Sequence, residues 1–283
     1  MRKNLTTTNH NRDSAGLKYV YPVMSRRAGG LSIGINFNPN NACNWRCIYC
    51  QVPSLQRGSA PDMDFGLLEN ELSFFLDQVL NGEFFTQFNI APEHRVIKDI
   101  AISGNGEPTS LKNFDQAVTL IGEIARKAGI FPASQFVLIS NGSLVHQQTV
   151  QSGLKQLASF NGELWFKLDS ATLAGRRLIN NTGQNQTKLM ENLAIASHIC
   201  PTKLQTCMLR FNDQSWSSSE KQAYLLLLQA LKSRQIPLQK IMLYSLARQS
   251  FQPEADALES ISFEEMTAFA ADIKALGYDV SVN

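Results

Sequence analysis

The chain has 283 residues, long enough for one large core or two smaller domains. A net charge of +2 indicates neither a nucleic-acid binder nor an acidic tail, and 18% charged residues is ordinary for a globular protein. No apolar run is long enough to cross a bilayer, and no apolar segment follows Arg2 and Lys3 as in a secretory signal. Since three of the five cysteines are clustered, we expect a cytoplasmic protein from a reducing compartment, without disulfides or a membrane contact.

The first part of the chain is polar. Residues 1–18 are predicted to form a disordered tail, and residues 19–283 to form a single domain. A short apolar run over 19–24 precedes Arg26 and Arg27, and the two glycines that follow indicate a tight turn. The two arginines either lie on a solvated turn or clamp an anionic group.

Three cysteines follow the first predicted strand, which covers 31–37. Cys43, Cys47 and Cys50 have the spacing C-x3-C-x2-C, and three thiols in one loop indicate a metal site. A structural zinc site needs four protein ligands, and a [4Fe–4S] cluster usually has four cysteines. With three, one iron of a cluster keeps an open position for a small molecule. The alternatives are a zinc loop completed by a distant histidine, or incidental thiols.

The rest of the chain alternates between apolar strands and amphipathic helices. Strands are predicted over 96–102, 135–139, 162–168, 203–210 and 239–244, with an edge strand over 279–282. Helices are predicted over 63–80, 113–129, 150–157 and 187–199, with Asn113 as the N-cap of the second. Two more helices begin with the capping patterns at 217–220 and 262–265. Arg176 and Arg177 are placed in a loop. About six βα units predict a parallel sheet covered by helices, either doubly wound or a barrel.

Ligands of parallel α/β folds bind where the strands end. The residues at these ends are Gly104, Gly106, Glu107, Ser140, Asn141, Lys167, Asp169, Cys207 and Arg210. Lys167 and Cys207 are the candidate catalytic residues, although Lys167 could instead pair with Asp169 or Glu163, and Cys207 could be a small core residue. Gln205 or Thr206 is expected to face the interior, Arg210 to stand at the ligand end as a cofactor contact, and Arg248 to be a candidate anion contact.

With the aromatic Tyr49 before its third cysteine, the loop resembles the C-x3-C-x-Φ-C signature of the radical S-adenosylmethionine (SAM) enzymes, in which Φ is an aromatic residue. The resemblance implies a partial (β/α)6 barrel in which Cys43, Cys47 and Cys50 hold a [4Fe–4S] cluster. SAM would chelate the fourth iron, with Tyr49 against its adenine.

The same resemblance assigns roles to the strand ends. Gly104, Gly106 and Glu107 match the element that receives the SAM amino group, and Ser140 and Asn141 match a turn that faces SAM. Asp169 matches an acidic residue that approaches the ribose hydroxyls. An ordinary turn is the alternative for the Gly104, Gly106 and Glu107 element and for the Ser140 and Asn141 turn, and a structural ion pair is the alternative for Asp169.

Within the superfamily, the chain looks like the iron–sulfur oxidoreductase branch that includes the wyosine-forming tRNA enzymes. Those enzymes carry a second cluster on cysteines nearer the N-terminus, whereas no cysteine precedes Cys43 here, so we predict a single cluster. The implied activity is reductive cleavage of SAM to a 5′-deoxyadenosyl radical that acts on an unidentified substrate, with flavodoxin or a ferredoxin as reductant.

The substrate is either a small molecule or RNA, whose phosphates could meet basic residues, namely Arg26, Arg27, Arg57, Arg176 and Arg177. Two alternatives remain at this point. The chain could be a zinc-binding RNA-modifying protein that does not cleave SAM. It could also be a cluster-bearing accessory protein without turnover.

Overall fold

The computed structural model describes residues 15–25 and 29–283, so most of the predicted tail and the Arg26–Arg27 turn lie outside the described residues. The strands are β1 (Val20–Ser25), β2 (Gly30–Ile35), β3 (Ala42–Cys43), β4 (Gln56–Arg57), β5 (Ile97–Ile102), β6 (Gln135–Ser140), β7 (Glu163–Lys167), β8 (Thr202–Cys207), β9 (Leu209–Phe211), β10 (Lys240–Tyr244), β11 (Leu258–Ser260) and β12 (Val280–Val282). The α-helices are α1 (Phe65–Leu80), α2 (Glu83–Gln87), α3 (Phe114–Lys127), α4 (Gln148–Ser159), α5 (Leu173–Asn180), α6 (Gln186–Ile199), α7 (Ser218–Ser233) and α8 (Phe263–Ala275).

Eight of these strands form one sheet in the order β1-β2-β5-β6-β7-β8-β10-β12. Every neighbouring pair is parallel except the hairpin of β1 and β2. Each strand from β2 to β10 in this sheet is followed by at least one helix, which confirms the six predicted βα units. The order follows the chain without the reversal of a doubly wound sheet. It is the singly wound order that a partial (β/α)6 barrel requires.

The two faces of the sheet differ in polarity because side chains alternate along a strand. Residues of one face belong to the main hydrophobic core with the helices; examples are Ile33, Ile100, Phe136, Phe166, Leu204 and Leu243. Their neighbours in sequence point to the other side, which we call the inner face. It carries polar and charged residues, namely Ser32, Asp99, Glu163, Lys167, Gln205 and Tyr244. The inner face is therefore the side suited to chemistry.

The helices follow the predicted boundaries closely. Ser217 and Ser262 accept hydrogen bonds from the backbone three residues on, so both predicted N-caps are confirmed. The longest helices, α1 and α7, have 16 residues each. Among the helices that the structure describes, none combines the length and the apolar character needed to cross a membrane.

Several local predictions are wrong. The supposed loop at Arg176 and Arg177 is helix α5, because the Thr172 side chain caps it by accepting from the Gly175 N–H at 3.0 Å. Arg176 is 1% exposed and donates to carbonyls of Ser170 and Gln184, so it cannot meet a phosphate.

Two smaller corrections concern the ends of elements. Asn113 precedes α3 but makes no side-chain cap. The strand predicted over 203–210 is divided: β8 ends at Cys207, and Arg210 lies in β9, which pairs with β11 outside the main sheet.

Candidate metal centre

The cysteine loop leaves β2 at its carboxyl end, as expected for a ligand-binding loop of a parallel sheet. Cys43 lies in β3, opposite Arg57 of β4, and its carbonyl accepts from the Gly58 N–H at 3.1 Å. This short pairing closes the loop on itself. All three cysteines are half-buried.

Two of the sulfur atoms accept hydrogen bonds. The Trp45 backbone N–H donates to Cys43 Sγ at 3.4 Å, and Asn180 Nδ2 donates to Cys47 Sγ at 3.2 Å. Burial, with a smaller contribution from the nearby Glu107, raises the pKa of Cys43 to about 12, and burial also raises the pKa of Cys47. A thiolate here therefore needs nearby positive charge, which a bound metal group supplies.

The end of helix α5 supports one side of this loop. The Ile48 N–H donates to the Ile179 carbonyl at 2.8 Å, and the Arg46 N–H donates to the Asn180 carbonyl at 3.3 Å. Asn181, in the left-handed conformation that ends the helix, donates from its side chain to the Arg46 carbonyl at 2.9 Å. The helix terminus thus fixes the backbone around Cys47.

The segment 248–254, after β10, supports the other side. The Phe251 N–H donates to the Cys50 carbonyl at 3.0 Å, and the Ser250 hydroxyl donates to the Ile48 carbonyl at 2.7 Å. Glu254 pairs with Arg46 through two hydrogen bonds of 2.6 and 2.7 Å. Because these contacts join positions about 200 residues apart, they could not be predicted from local sequence patterns.

The glycine element after β5, which contains Gly104 and Gly106, packs directly against the cysteine loop. A Cβ atom on Gly106 would lie 1.9 Å from the Ala42 carbonyl oxygen, so only glycine fits there. Gly104 has a φ of +156°, and its Cβ would lie 2.3 Å from Asn36 Oδ1. Glycine is thus required at both positions by contact with the strand end and the loop that carry the cysteines.

Glu107 joins the ends of β5 and β6. Its buried carboxylate accepts from Thr109, from the Ser140 hydroxyl at 2.6 Å and from the Asn141 N–H at 2.7 Å. Burial raises the pKa of Glu107, and the bonds from Ser140 and Thr109 oppose that shift. Asn141 continues the network by donating to Asn44 Oδ1, inside the cysteine loop, at 2.9 Å. The structure thus brings these predicted residues together.

Asp169 lies at the centre of a second network and its side chain is fully buried. One oxygen accepts from the Tyr49 hydroxyl and from Asn180 Nδ2 at 2.7 Å. The other accepts from the Cys207 N–H at 2.9 Å and lies 3.4 Å from Lys167 Nζ. Both carboxylate oxygens of Asp169 therefore contact protein groups. Through its hydrogen bond from the Tyr49 hydroxyl, Asp169 fixes the position of Tyr49.

Lys167 occupies the space between two aromatic rings. Its ammonium lies 5.0 Å from the ring centre of Tyr49 and 4.8 Å from that of Tyr244, and it donates to the Tyr244 hydroxyl. Burial lowers the pKa of Lys167, but Asp169, Tyr244 and Cys207 together outweigh burial, so the pKa is raised and the amine stays protonated. Of the two predicted partners of Lys167, the structure shows Asp169, while Glu163 pairs with Lys203.

Two other predicted residues do not share these contacts. Cys207 is fully buried in a small apolar cluster with Ile48, Ile179 and Leu209, as a core cysteine would be. Arg210 is exposed in β9, where its charge adds to the hydrogen bond from Ser215 in lowering the pKa of Glu265. Sequence reasoning missed Asn180, because only the fold brings α5 to Cys47.

The loop fits an iron–sulfur cluster in its donor chemistry. It offers three thiols with N–H donors at two of them, the environment in which cluster sulfurs are found. Oδ1 of Asn38 and Oδ1 of Asn180 are buried beside the loop without a partner. Across the described residues, no three His, Cys, Asp or Glu side chains are arranged around one point to hold a single metal ion. A cubane binds each cysteine at a different iron.

Comparison with solved structures assigns the fold to a class. The chain superimposes on SuiB of Streptococcus suis bound to S-adenosylmethionine with a TM-score of 0.59, at 9% identity over 91% of this chain and 52% of SuiB. It superimposes on TYW1 with a lysine-pyruvate adduct bound with a TM-score of 0.56, at 17% identity over 85% of this chain and 72% of TYW1. Both are radical SAM enzymes, so the fold is the one that the cysteine motif predicted.

Sequence comparison finds relatives that match only part of the chain. A protein of Brachyspira hyodysenteriae named GTPase Obg is 28% identical over 151 residues, which cover 53% of this chain and 19% of that protein. A Helicobacter pylori protein named UPF0026 is 27% identical over 180 residues, 63% of this chain and 51% of that protein. The chain thus matches about half or less of the length of these curated relatives. No family model matches.

Proposed function

We propose that this chain is a radical SAM enzyme with a single [4Fe–4S] cluster on Cys43, Cys47 and Cys50. The observation that carries the proposal is the position of the loop. Three thiols, two of them with N–H donors, lie at the carboxyl end of the first parallel strand in a radical SAM fold. When bound, the cluster and SAM supply a 5′-deoxyadenosyl radical that abstracts hydrogen from a substrate.

The residues around the loop have positioning roles in this proposal. Trp45 and Asn180 direct N–H groups at the ligand sulfurs, which favours their thiolate form. Asp169 fixes the hydroxyl of Tyr49, the aromatic residue of the motif, so the ring is placed before any ligand binds. Gly106 lets the strand end approach the loop, where SAM would bind.

The electron needed for reductive cleavage must come from outside the chain, and we assign that role to a flavodoxin or ferredoxin. The substrate class is not set by the fold. The structure of SuiB bound to precursor peptide SuiA covers 90% of this chain with a TM-score of 0.61 at 9% identity. TYW1 and SuiB therefore share a scaffold with this chain while binding different molecules.

The proposal is tested by anaerobic reconstitution of the full chain with iron and sulfide. Iron and 5′-deoxyadenosine are then measured after adding SAM and dithionite. We expect about four irons per chain, and 5′-deoxyadenosine that is lost in C43A, C47A and C50A but kept in C200A, which removes a buried cysteine outside the loop. Bound zinc with no 5′-deoxyadenosine would instead support the zinc-binding alternative, which the fold comparisons do not favour.

A further inference from the structure

Two exposed hydrophobic side chains flank the cysteine loop. Leu178 is 53% exposed and Phe251 is 65% exposed. The Phe251 N–H donates to the carbonyl of Cys50, and Leu178 directly precedes Ile179, whose carbonyl accepts from the Ile48 N–H. A single exposed hydrophobic residue is ordinary, but two of them on the segments that hold one candidate site indicate a contact surface.

The surface around these two residues is positively charged. We call it the loop face, and it consists of segments 44–58, 176–181 and 248–254. Its charged residues that are not buried are four arginines and one acid, namely Arg46, Arg57, Arg177, Arg248 and Glu254. The acid is already paired with Arg46 at 2.6 Å, whereas no ion pair among the described residues includes Arg57 or Arg177. The loop face therefore favours an acidic partner.

A cavity of about 330 Å³ lies at the edge of the loop face. Gln249 and Ser250, which directly precede Phe251, are among its lining residues. Arg248 lines it as well and donates to the Gln51 side chain, next to the last cysteine, at 3.0 Å. A cavity of this size with a guanidinium in its wall suits an acidic side chain of a partner.

We propose that the loop face docks an acidic protein that carries one electron, with Phe251 and Leu178 at the apolar centre of the contact. The partner is oxidised by one electron and the cluster is reduced by one, so no further reactant is needed. Apolar residues within a charged rim fit the small interfaces of electron-transfer complexes. The inference rests on the proposed function, which requires an electron from outside the chain, and it adds the place at which that electron enters.

An RNA could also meet these arginines, but the observations favour a protein. A nucleic acid is bound mainly through its phosphates, whereas the exposed residues bonded most closely to the cysteine loop are hydrophobic. The net charge of the whole chain is only +2. An electron carrier also gains from a contact beside the cysteines, because electron transfer slows steeply with distance.

The test is binding of an acidic flavodoxin, used as the probe, to the reconstituted full chain, measured by surface plasmon resonance at low and high salt. At low salt we expect the affinity to fall about tenfold in R177E and about fivefold in L178S and in F251S. The effect of R177E should shrink at high salt, because salt screens exposed charges. The rate at which reduced flavodoxin reduces the cluster should fall in the same variants.

Two control variants lie on α7. L226S removes a side chain that is 54% exposed, as a match for L178S. R234E reverses the charge of an exposed arginine at the end of α7. Because α7 leads to the start of β10, Arg234 lies at the amino edge of the sheet, whereas the cysteine loop lies at the carboxyl edge. Both controls should bind flavodoxin as the parent does.

Reduction by dithionite needs no docking surface and separates this inference from the proposed function. R177E and L178S should form as much 5′-deoxyadenosine with dithionite as the parent. The inference is overturned if flavodoxin does not bind, if R177E, L178S and F251S bind it as tightly as the parent, or if an RNA oligonucleotide binds the loop face more tightly. If dithionite yields no 5′-deoxyadenosine even in the parent, the proposed function fails and this inference fails with it.

Discussion

The side-chain nitrogen of Asn180 donates both to the sulfur of Cys47 at 3.2 Å and to the carboxylate of Asp169 at 2.7 Å. The last residue of helix α5 therefore connects the cysteine loop to the end of strand β7. Through Asp169 the connection continues to Tyr49, in the same loop, and to Lys167 on the inner face. One side chain thus couples the candidate metal ligands to the interior of the sheet.

We first predict the effect of N180L. The leucine has a similar size but cannot donate to Cys47, and loss of a hydrogen bond to a cluster sulfur lowers the reduction potential. The midpoint potential, measured by EPR-monitored redox titration, should therefore be more negative than in the parent. The control N185L removes the N-cap of α6, which costs about 1 kcal/mol without touching the loop. Equal potentials in N180L and the parent would refute the role of this bond.

We expect the ion pair of Asp169 and Lys167 to contribute to the free energy of unfolding. D169N keeps the shape of the side chain but leaves the buried ammonium of Lys167 without its counter-charge. We expect the free energy of unfolding to fall by about 3 kcal/mol, measured by urea denaturation. The double variant D169N/K167M should recover part of the loss, because it removes the unpaired charge. If the double variant is as unstable as D169N, the pair is not the cause.

Gly106 tests the packing of the glycine element. In G106A, the added methyl group would lie 1.9 Å from the Ala42 carbonyl, so the cysteine loop must move. We expect iron incorporation to fall well below that of the parent after reconstitution. G183A is the matched control, because a Cβ atom there meets nothing within 4 Å. Equal iron content in the two variants would contradict the proposed contact.

Because the pKa of Asp99 is raised in the folded state, we expect the stability of the protein to depend on pH. Burial raises its pKa from 3.8 to about 6, although a bond from Ser32 opposes the shift. The folded state therefore binds this proton more tightly than the unfolded state. Its contribution to stability is complete below pH 4 and is lost as the pH rises through 6.

The variant D99N should accordingly be more stable than the parent at pH 7, by about 1–2 kcal/mol once partial exposure is allowed for. The advantage should vanish near pH 4, where the parent is protonated as well. Urea denaturation at both pH values measures the difference. A constant difference across this range would show that the titration of Asp99 is not responsible.

Much of the fold was predictable because local patterns determine it. The alternation of apolar strands and amphipathic helices gave the six βα units, and Ser217 and Ser262 marked two helix starts. The cysteine spacing with Tyr49 indicated the radical SAM fold that the structural comparisons show.

The parts that could not be predicted depend on contacts between distant residues. Helix α5 was predicted as a loop because Arg176 looks like a surface residue. The local sequence does not indicate that the carbonyls of Ser170 and Gln184 accept hydrogen bonds from a buried Arg176. The hydrogen bond from the Phe251 N–H, in segment 248–254, to the Cys50 carbonyl could not be predicted either, because the two residues are far apart in the sequence. Asp169 was expected at a ribose, while its partners in the fold are Tyr49, Asn180, Cys207 and Lys167.

The most direct test of the central claim is the EPR spectrum of the reduced, reconstituted protein before and after addition of SAM. If three cysteines hold a cluster whose fourth iron is open, the g values of the [4Fe–4S]⁺ signal will change when SAM binds. The variants C43A, C47A and C50A should lack the signal. A spectrum that SAM leaves unchanged, or a protein that binds zinc in place of iron, would contradict the account.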